Sequence, residues 1–511
     1  MLTRVVRSSL LPSLQRPASL VGTKITGRTM SSSSLSTTEQ LQSFGERHVT
    51  KGIGRIAPGV MKKAEGSYVE YLDGKRMLDF TCGIGVTNLG HCHPKVSKAA
   101  AEQCMQLVHG QCSISFHEPY LRLIEKLLPI MPHPSLDSFF FWNSGSEAVE
   151  AALKMARATT GRQNIICMQG GYHGRTFGAM AVTRSKTGYS EGFHPLMPGV
   201  FVTPYPFWHQ LGLSPSTPTQ TLTQLALNQL HLLLQQQTSP SDTAAIIIEP
   251  VLGEGGYVPA PKEFLVGLRE VCDEYGILLI VDEVQSGFGR TGAWWAIEGS
   301  ESVEGDYEGS SSSGSGDGGA VRPDILVMAK GLANGFPLSG VVSRKEVTDK
   351  LKPGSMGGTY AGNAVSCAAA CAVIDAMEEE RVLENVKERS KHLLTSLHAL
   401  QSDPALAPYI LDVRGRGLMV AVEFASPAPL GGGWDPVYQN QDTGKPIPPN
   451  LATRVAKKCI EKGLLLLTTS VYEVVRFIPA LNIGQGEMER GVGVFEDSLR
   501  EVVGGWEGEG K

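Results

Sequence analysis

Glu249, Asp282 and Lys330 stand out because each follows directly on a short apolar run: residues 244–248, 276–281 and 325–329. Short unbroken apolar runs read as strands buried on both faces, as in a parallel sheet. Ligands of open parallel sheets sit outside the carboxyl ends of the strands. A glutamate, an aspartate and a lysine are therefore expected at one crevice. Buried acids and amines are costly unless paired or used. One chemistry uses both types: pyridoxal phosphate, where a lysine forms a Schiff base and an acid holds the pyridinium proton.

Other residues fit the same chemistry. Residues 143–146 (NSGS) lie between an apolar run at 139–142 and a helical pattern at 147–157. Gly145 permits close backbone approach, Ser146 supplies a hydroxyl, and a helix N-terminus offers free N–H groups, which together make a phosphate cradle. The segment equally fits an ordinary N-cap at Ser144 with Glu147 three residues on. Asp282 reads either as a helix cap or as the pyridinium partner, and the acidic doublet Asp282-Glu283 after an apolar strand favours the second. Gln285 is in reach of a ring oxygen. Lys330 reads either as a strand-end lysine snorkelling to water or as an amine activated in a partly desolvated pocket, with Gly331 leaving room beside it. Tyr172 and Arg175, in GGYHGR, offer a ring to stack on a flat cofactor and a guanidinium to clamp a carboxylate. His91 and His93 have no third ligating cluster in the sequence to complete a site with them, so no metal site is expected.

The elements that must position these residues follow from pattern. Residues 68–80 read as a hairpin turning at Asp73-Gly74. Residues 94–108 read as a helix and 164–168 as a strand. Strands and helices alternate to about residue 342, the signature of an α/β domain with a mainly parallel sheet. Long helical patterns at 367–380 and 381–400 then precede mixed segments, a second and smaller domain. The expected boundaries are a leader at 1–38, an N-terminal part of the small domain at 39–100, the large domain at 101–345 and the rest of the small domain at 346–511. Residues 299–319, rich in Ser, Gly and acid, read as a flexible insertion.

Composition excludes several classes. The 511 residues are 41% apolar and 19% charged, enough for a large core and more than one domain. The formal charge of -5 gives no basic field for nucleic acid, and no apolar stretch approaches the ~20 residues of a membrane span. Nine cysteines without paired spacing fit neither a zinc ribbon nor a disulfide scaffold. The first 38 residues carry Arg4, Arg7, Arg16, Lys24 and Arg28 but no acid, as in a mitochondrial transit peptide. A start at Met30 would remove those charges and leave a cytosolic product.

The segments LDFTCGIGVTNLGHCHPKV, NSGSEAVEAALKMAR, GGYHGRT, IIIEPVLGEGG, LLIVDEVQSGFGRTG, AKGLANGFPLSGVV and GGTYAGNAVSCAA, in that order, resemble the class III pyridoxal-phosphate-dependent aminotransferases. The resemblance runs from about Gly52 to Gly484 and is strongest to the 4-aminobutyrate aminotransferases of the bacterial type. It implies fold type I, with a mainly parallel seven-stranded sheet between helices and a smaller α+β domain drawn from both termini. It implies pyridoxal 5'-phosphate, with Lys330 as the Schiff-base lysine and Asp282 at the pyridinium. Gln285 would contact the ring oxygen, Gly145 and Ser146 the phosphate, and Tyr172 the ring face. Thr359 would reach a phosphate across the interface of a homodimer, or of a tetramer built from it. Arg175 would bind a distal carboxylate and Arg476 an α-carboxylate, with Glu249 pairing Arg476 when 4-aminobutyrate is bound. Ile84 would line the pocket. No metal is implied, and the cysteine pair of an iron–sulfur cluster is not visible. The implied reaction moves the amino group of an ω-amino acid to 2-oxoglutarate. Ornithine, acetylornithine and β-alanine aminotransferases are the nearest alternatives, and a catalytically inactive scaffold the distant one.

Overall fold

The computed structural model describes residues 37–299, 321–426 and 447–506. Nearly all of the expected leader and of the insertion at 299–319 lies outside these residues. The described residues form two compact units, one ending at Gly54 and one starting at Arg55. In the first, the helix Thr38–His48 opens on a capping box: Thr37 accepts from the Gln40 N–H, and the Gln40 side chain reaches back to the Thr37 N–H.

The second unit is built on a seven-stranded sheet. Its strands are β1 (Leu136–Trp142), β2 (Asn164–Met168), β3 (Val200–Thr203), β4 (Thr243–Ile248), β5 (Leu278–Asp282), β6 (Ile325–Met328) and β7 (Ser339–Arg344). The spatial order is β1-β7-β6-β5-β4-β2-β3. Neighbours from β6 to β3 pair in parallel, and only β7 runs against its neighbours. The mainly parallel sheet expected from the apolar runs is thus present.

Those runs are unbroken because the sheet is covered on both faces. In β4, Ile246 and Ile248 enter one core while Ala245 and Ile247 enter another. β5 and β6 alternate in the same way, with Val281 and Met328 on the first side and Ile280 and Val327 on the second. The second side is roofed by the helix Gly145–Thr160, whose alanines at 148, 151, 152 and 156 let it lie close. The helix Lys262–Tyr275 covers the first side through Phe264, Leu268 and Cys272. It stops at Gly276, which adopts φ 61° as a left-handed cap. The apolar run at 276–281 therefore begins as a helix end, and the strand proper starts at Leu278.

Two smaller sheets flank the large one in sequence. The first holds Met61–Glu65, Tyr68–Tyr71 and Arg76–Asp79, the expected hairpin among them, and is joined in parallel by Leu464–Leu465 from near the C-terminus. The second is antiparallel, in the order Ile410–Arg416, Met419–Phe424, Val474–Phe477 and Leu467–Thr469. Arg476 sits on its third strand, opposite Ala421 and Leu467.

Candidate active site

Register brings the three strand-end residues together. Ile248 is level with Val281, and Asp282 with Val327, so β4, β5 and β6 end within a step of one another. Glu249, Asp282 and Lys330 all border one cavity of about 270 Å³, with Gly145, Ser146 and Tyr172. Gln285 lines it as well. Lys330 adopts φ 37°, a left-handed conformation uncommon outside glycine. A Cβ on Gly331 would lie 2.1 Å from Asn88 Nδ2, so only glycine fits beside the lysine.

Burial pulls the Lys330 pKa down to about 8; Glu254 raises it and Arg476 lowers it further. The amine is therefore close to losing its proton at neutral pH. Asp282 is buried and doubly held. Its Oδ1 accepts from the Val284 N–H at 3.0 Å, and its Oδ2 lies 2.7 Å from His173 Nδ1. Both readings of Asp282 hold in part, since it caps the turn and still borders the cavity. Burial opposes a charged His173, yet the bond to Asp282 and its charge raise the histidine above its usual value. The motif GGYHGR contains this partner, beside the tyrosine and two residues before the arginine. A histidine that the fold sets 2.7 Å behind a strand-end acid has no sequence signal of its own.

At the other end of the cavity, Ser144 caps the helix Gly145–Thr160 by accepting from the Glu147 N–H at 3.3 Å. The N-cap and the cradle are therefore the same structure. First-turn N–H groups have no intrahelical partner, which leaves those of Gly145 and Ser146 at the cavity wall. Ser146 Oγ accepts from the Arg175 N–H at 3.0 Å and keeps its own proton to donate. Gly174 packs against it with φ 134°; a Cβ there would lie 2.4 Å from Ser146 Oγ.

The acid that pairs with Arg476 differs from the one expected. Arg476 is buried, and its Nη1 donates to Glu254 Oε1 at 2.5 Å. Glu249 instead accepts the backbone N–H of Tyr172 at 2.8 Å and of Gly253 at 3.0 Å. It is the clasp between two site loops, and burial pushes its pKa up to about 7. The strand-end position points to Glu249. Glu254, five residues on and between glycines, is carried on a loop whose path no periodicity reveals.

The remaining expected residues fall outside this chain's cavity wall. Ile84 is 42% exposed and adopts φ 69°, and Val86 lines the cavity in its place. The left-handed turn through Gly83 and Ile84 sets that change. Arg175 is exposed; its Nε donates to Tyr172 Oη at 3.1 Å, and its guanidinium lies 4.4 Å from the centre of the Tyr189 ring. Thr359 is exposed and away from the cavity. His91 bonds Asp79 and His93 bonds Glu380, each at 2.9 Å. Among the described residues no group of three metal-ligating side chains is assembled, and no helix is long and apolar enough to cross a membrane.

A doubly covered parallel sheet, with a lysine of lowered pKa, a histidine-backed aspartate and a helix N-terminus around one cavity, defines a lysine-centred group-transfer enzyme. The family is class III aminotransferase: the family's model matches residues 54–499, and the chain belongs to it. It is 37% identical to the 5-aminovalerate aminotransferase DavT of Pseudomonas putida over 91% of this chain and 99% of that protein. It is 35% identical to the 4-aminobutyrate aminotransferase GabT of Escherichia coli over 92% of this chain and 100% of that one. A solved amine transaminase of an uncultivated Pseudomonas species, in its pyridoxal-phosphate-bound form, covers 86% of this chain and matches over 94% of its own, with 29% identity and a TM-score of 0.73.

Pyridoxal 5'-phosphate is the cofactor of this family, and the residues present fit it. The cavity offers a lysine, a carboxylate for a ring nitrogen and an N-terminal helix turn for a phosphate. Gln285 Oε1 is buried with no partner in the protein, as expected of a group kept for a ligand.

Proposed function

We propose that this enzyme transfers the amino group of an ω-amino acid, 4-aminobutyrate first, to 2-oxoglutarate, giving succinic semialdehyde and glutamate. Pyridoxal phosphate, when bound, supplies the carbonyl that accepts the amino group and a ring that withdraws electrons from the substrate carbon. Lys330 Nζ would take the proton from the amino-bearing carbon of the donor and hand it to the cofactor side, and in the second half-reaction deliver one to the carbon of the 2-oxo acid, work suited to an amine whose pKa lies near 8. Asp282, steadied by His173, holds the proton on the ring nitrogen. Gly145 and Ser146 take the phosphate, Tyr172 the ring face and Gln285 the ring oxygen. Arg175 takes the carboxylate far from the reacting carbon.

One observation carries the substrate reading: the buried Arg476–Glu254 pair beside the cavity. An unpaired buried arginine is costly. Glutamate and 2-oxoglutarate bring an α-carboxylate to Arg476, whereas 4-aminobutyrate brings none. Glu254 neutralises Arg476 in the second case and yields it in the first. This assigns to Glu254 the role expected of Glu249. A pocket that accepts 4-aminobutyrate discriminates weakly against 5-aminovalerate, since one methylene is worth only about 1–3 kcal/mol.

A homodimer belongs to the same proposal, with Thr359 reaching the partner subunit's phosphate. Supporting it, the segments carrying Val108 and Thr359 meet through His109 and Tyr360, whose ring centres are 5.6 Å apart, and through Asn363 Nδ2 donating to Val108 O at 3.0 Å. Around them Met105, Val108, Ile114, Phe116 and Tyr360 are all exposed, an apolar surface fit for burial. The acid-free leader supports delivery to the mitochondrial matrix, or a cytosolic product from Met30.

The test is a panel of 4-aminobutyrate, 5-aminovalerate, β-alanine, ornithine and acetylornithine, each with 2-oxoglutarate or pyruvate. The expected result is the highest kcat/KM with 4-aminobutyrate and 2-oxoglutarate. Preference for ornithine or acetylornithine, or for pyruvate, would overturn the reading.

A further inference from the structure

Tyr189 touches both carboxylate stations. Its hydroxyl donates to Glu254 Oε2 at 3.0 Å, while Glu254 Oε1 is held by Arg476. Its ring carries Arg175, with the guanidinium 4.4 Å from the ring centre, and meets the edge of Tyr172 at 5.1 Å and 71°. Burial first, and Glu254 second, raise the phenol well above its usual pKa, so it stays a donor. Lys186 and Arg476 face the same carboxylate and keep it charged.

We propose that Tyr189 is a positioning residue that sets the preference between substrates with one carboxylate and substrates with two. This rests on the substrate reading above. For Arg476 to receive an α-carboxylate, Glu254 must give up Arg476 and also Tyr189. The hydroxyl is therefore a latch on the closed arrangement. It favours the ω-amino acid and penalises the dicarboxylic acid. The ring does a different job: it is the platform for Arg175, which serves both substrate types. Hydroxyl and ring thus have separable effects.

The experiment measures binding of glutarate and pentanoate to the holoenzyme by calorimetry, in wild type, Tyr189→Phe and Tyr189→Leu. Glutarate has the two carboxylates and the length of glutamate; pentanoate has one. A hydrogen bond to a charged group is worth roughly a factor of ten or more. Tyr189→Phe, which keeps the ring, should bind glutarate about tenfold more tightly and pentanoate unchanged. Its KM for 2-oxoglutarate should fall. Tyr189→Leu, which removes the platform as well as the hydroxyl, should bind both acids more weakly than Tyr189→Phe does. Glutarate affinity in Tyr189→Phe that is unchanged or lower, in an enzyme whose wild type prefers glutarate to pentanoate, overturns the latch alone. Wild type that shows no preference for glutarate overturns the two-carboxylate reading and the latch with it.

Discussion

The cofactor end and the substrate end of this cavity are built differently. The cofactor end rests on strand termini and one helix: Asp282 ends β5, Lys330 follows β6, and Gly145 opens the helix Gly145–Thr160. The substrate end joins loops to the antiparallel sheet: Glu254 and Tyr189 come from connecting segments, and Arg476 from Val474–Phe477. Buried sheet backbone fixes the first set in place. The second set is held by side chains on side chains, the pairing that the proposed function has a substrate carboxylate displace. Rigid placement suits a cofactor bound the same way in every turnover, and exchangeable pairing suits two substrates of different charge.

The largest effect should come from the rigid end. Lys330→Ala removes the proton carrier and should lower turnover by at least ~10⁴-fold in both half-reactions, with the protein still folded and still binding cofactor weakly. Steady-state rates and single-turnover absorbance would check it; appreciable turnover without an added amine would remove the lysine from the mechanism. Asp282→Asn keeps the shape but not the charge, and His173 loses its ionic partner. About a hundredfold loss in both half-reactions is expected, with weaker cofactor retention on dialysis. Wild-type rates would leave Asp282 as a turn cap only.

The exchangeable end should respond unevenly. Glu254→Gln leaves Arg476 charged and poorly paired when 4-aminobutyrate binds, a burden of ~3–5 kcal/mol if fully felt. The 4-aminobutyrate half-reaction should fall about a hundredfold, and the glutamate half-reaction by less than about tenfold. Equal losses in single-turnover measurements would erase the distinction between the two ends.

Glu249 should give the smallest effect, and one on stability. Its folded pKa of about 7 lies above the ordinary 4.5 because it is buried. The folded state keeps a proton that the unfolded chain releases, so this contribution is complete below pH 4.5 and is lost as pH rises through 7. Glu249→Gln in the cofactor-free protein should flatten the fall of stability across that window, by up to ~1.4 kcal/mol per pH unit. Urea unfolding from pH 4.5 to 7.5 would show it, and identical slopes would mean the acid titrates as if exposed.

Residue order alone determined the rigid end. Three apolar runs stopping on Glu249, Asp282 and Lys330 announced a parallel sheet with its site at one edge, because a strand buried on both faces must be unbroken and its chemistry must wait for its end. The Ser-Gly-Ser turn before a helical pattern placed a helix N-terminus there for the same local reason, open both as an N-cap and as a phosphate cradle. Tertiary structure alone decided which acid meets Arg476, why His173 backs Asp282, and that Tyr189 joins Arg175 to Glu254. Those contacts bridge residues up to 222 apart, Glu254 to Arg476. Local periodicity records which face of an element is buried; it carries nothing about where a loop side chain ends up against a distant strand.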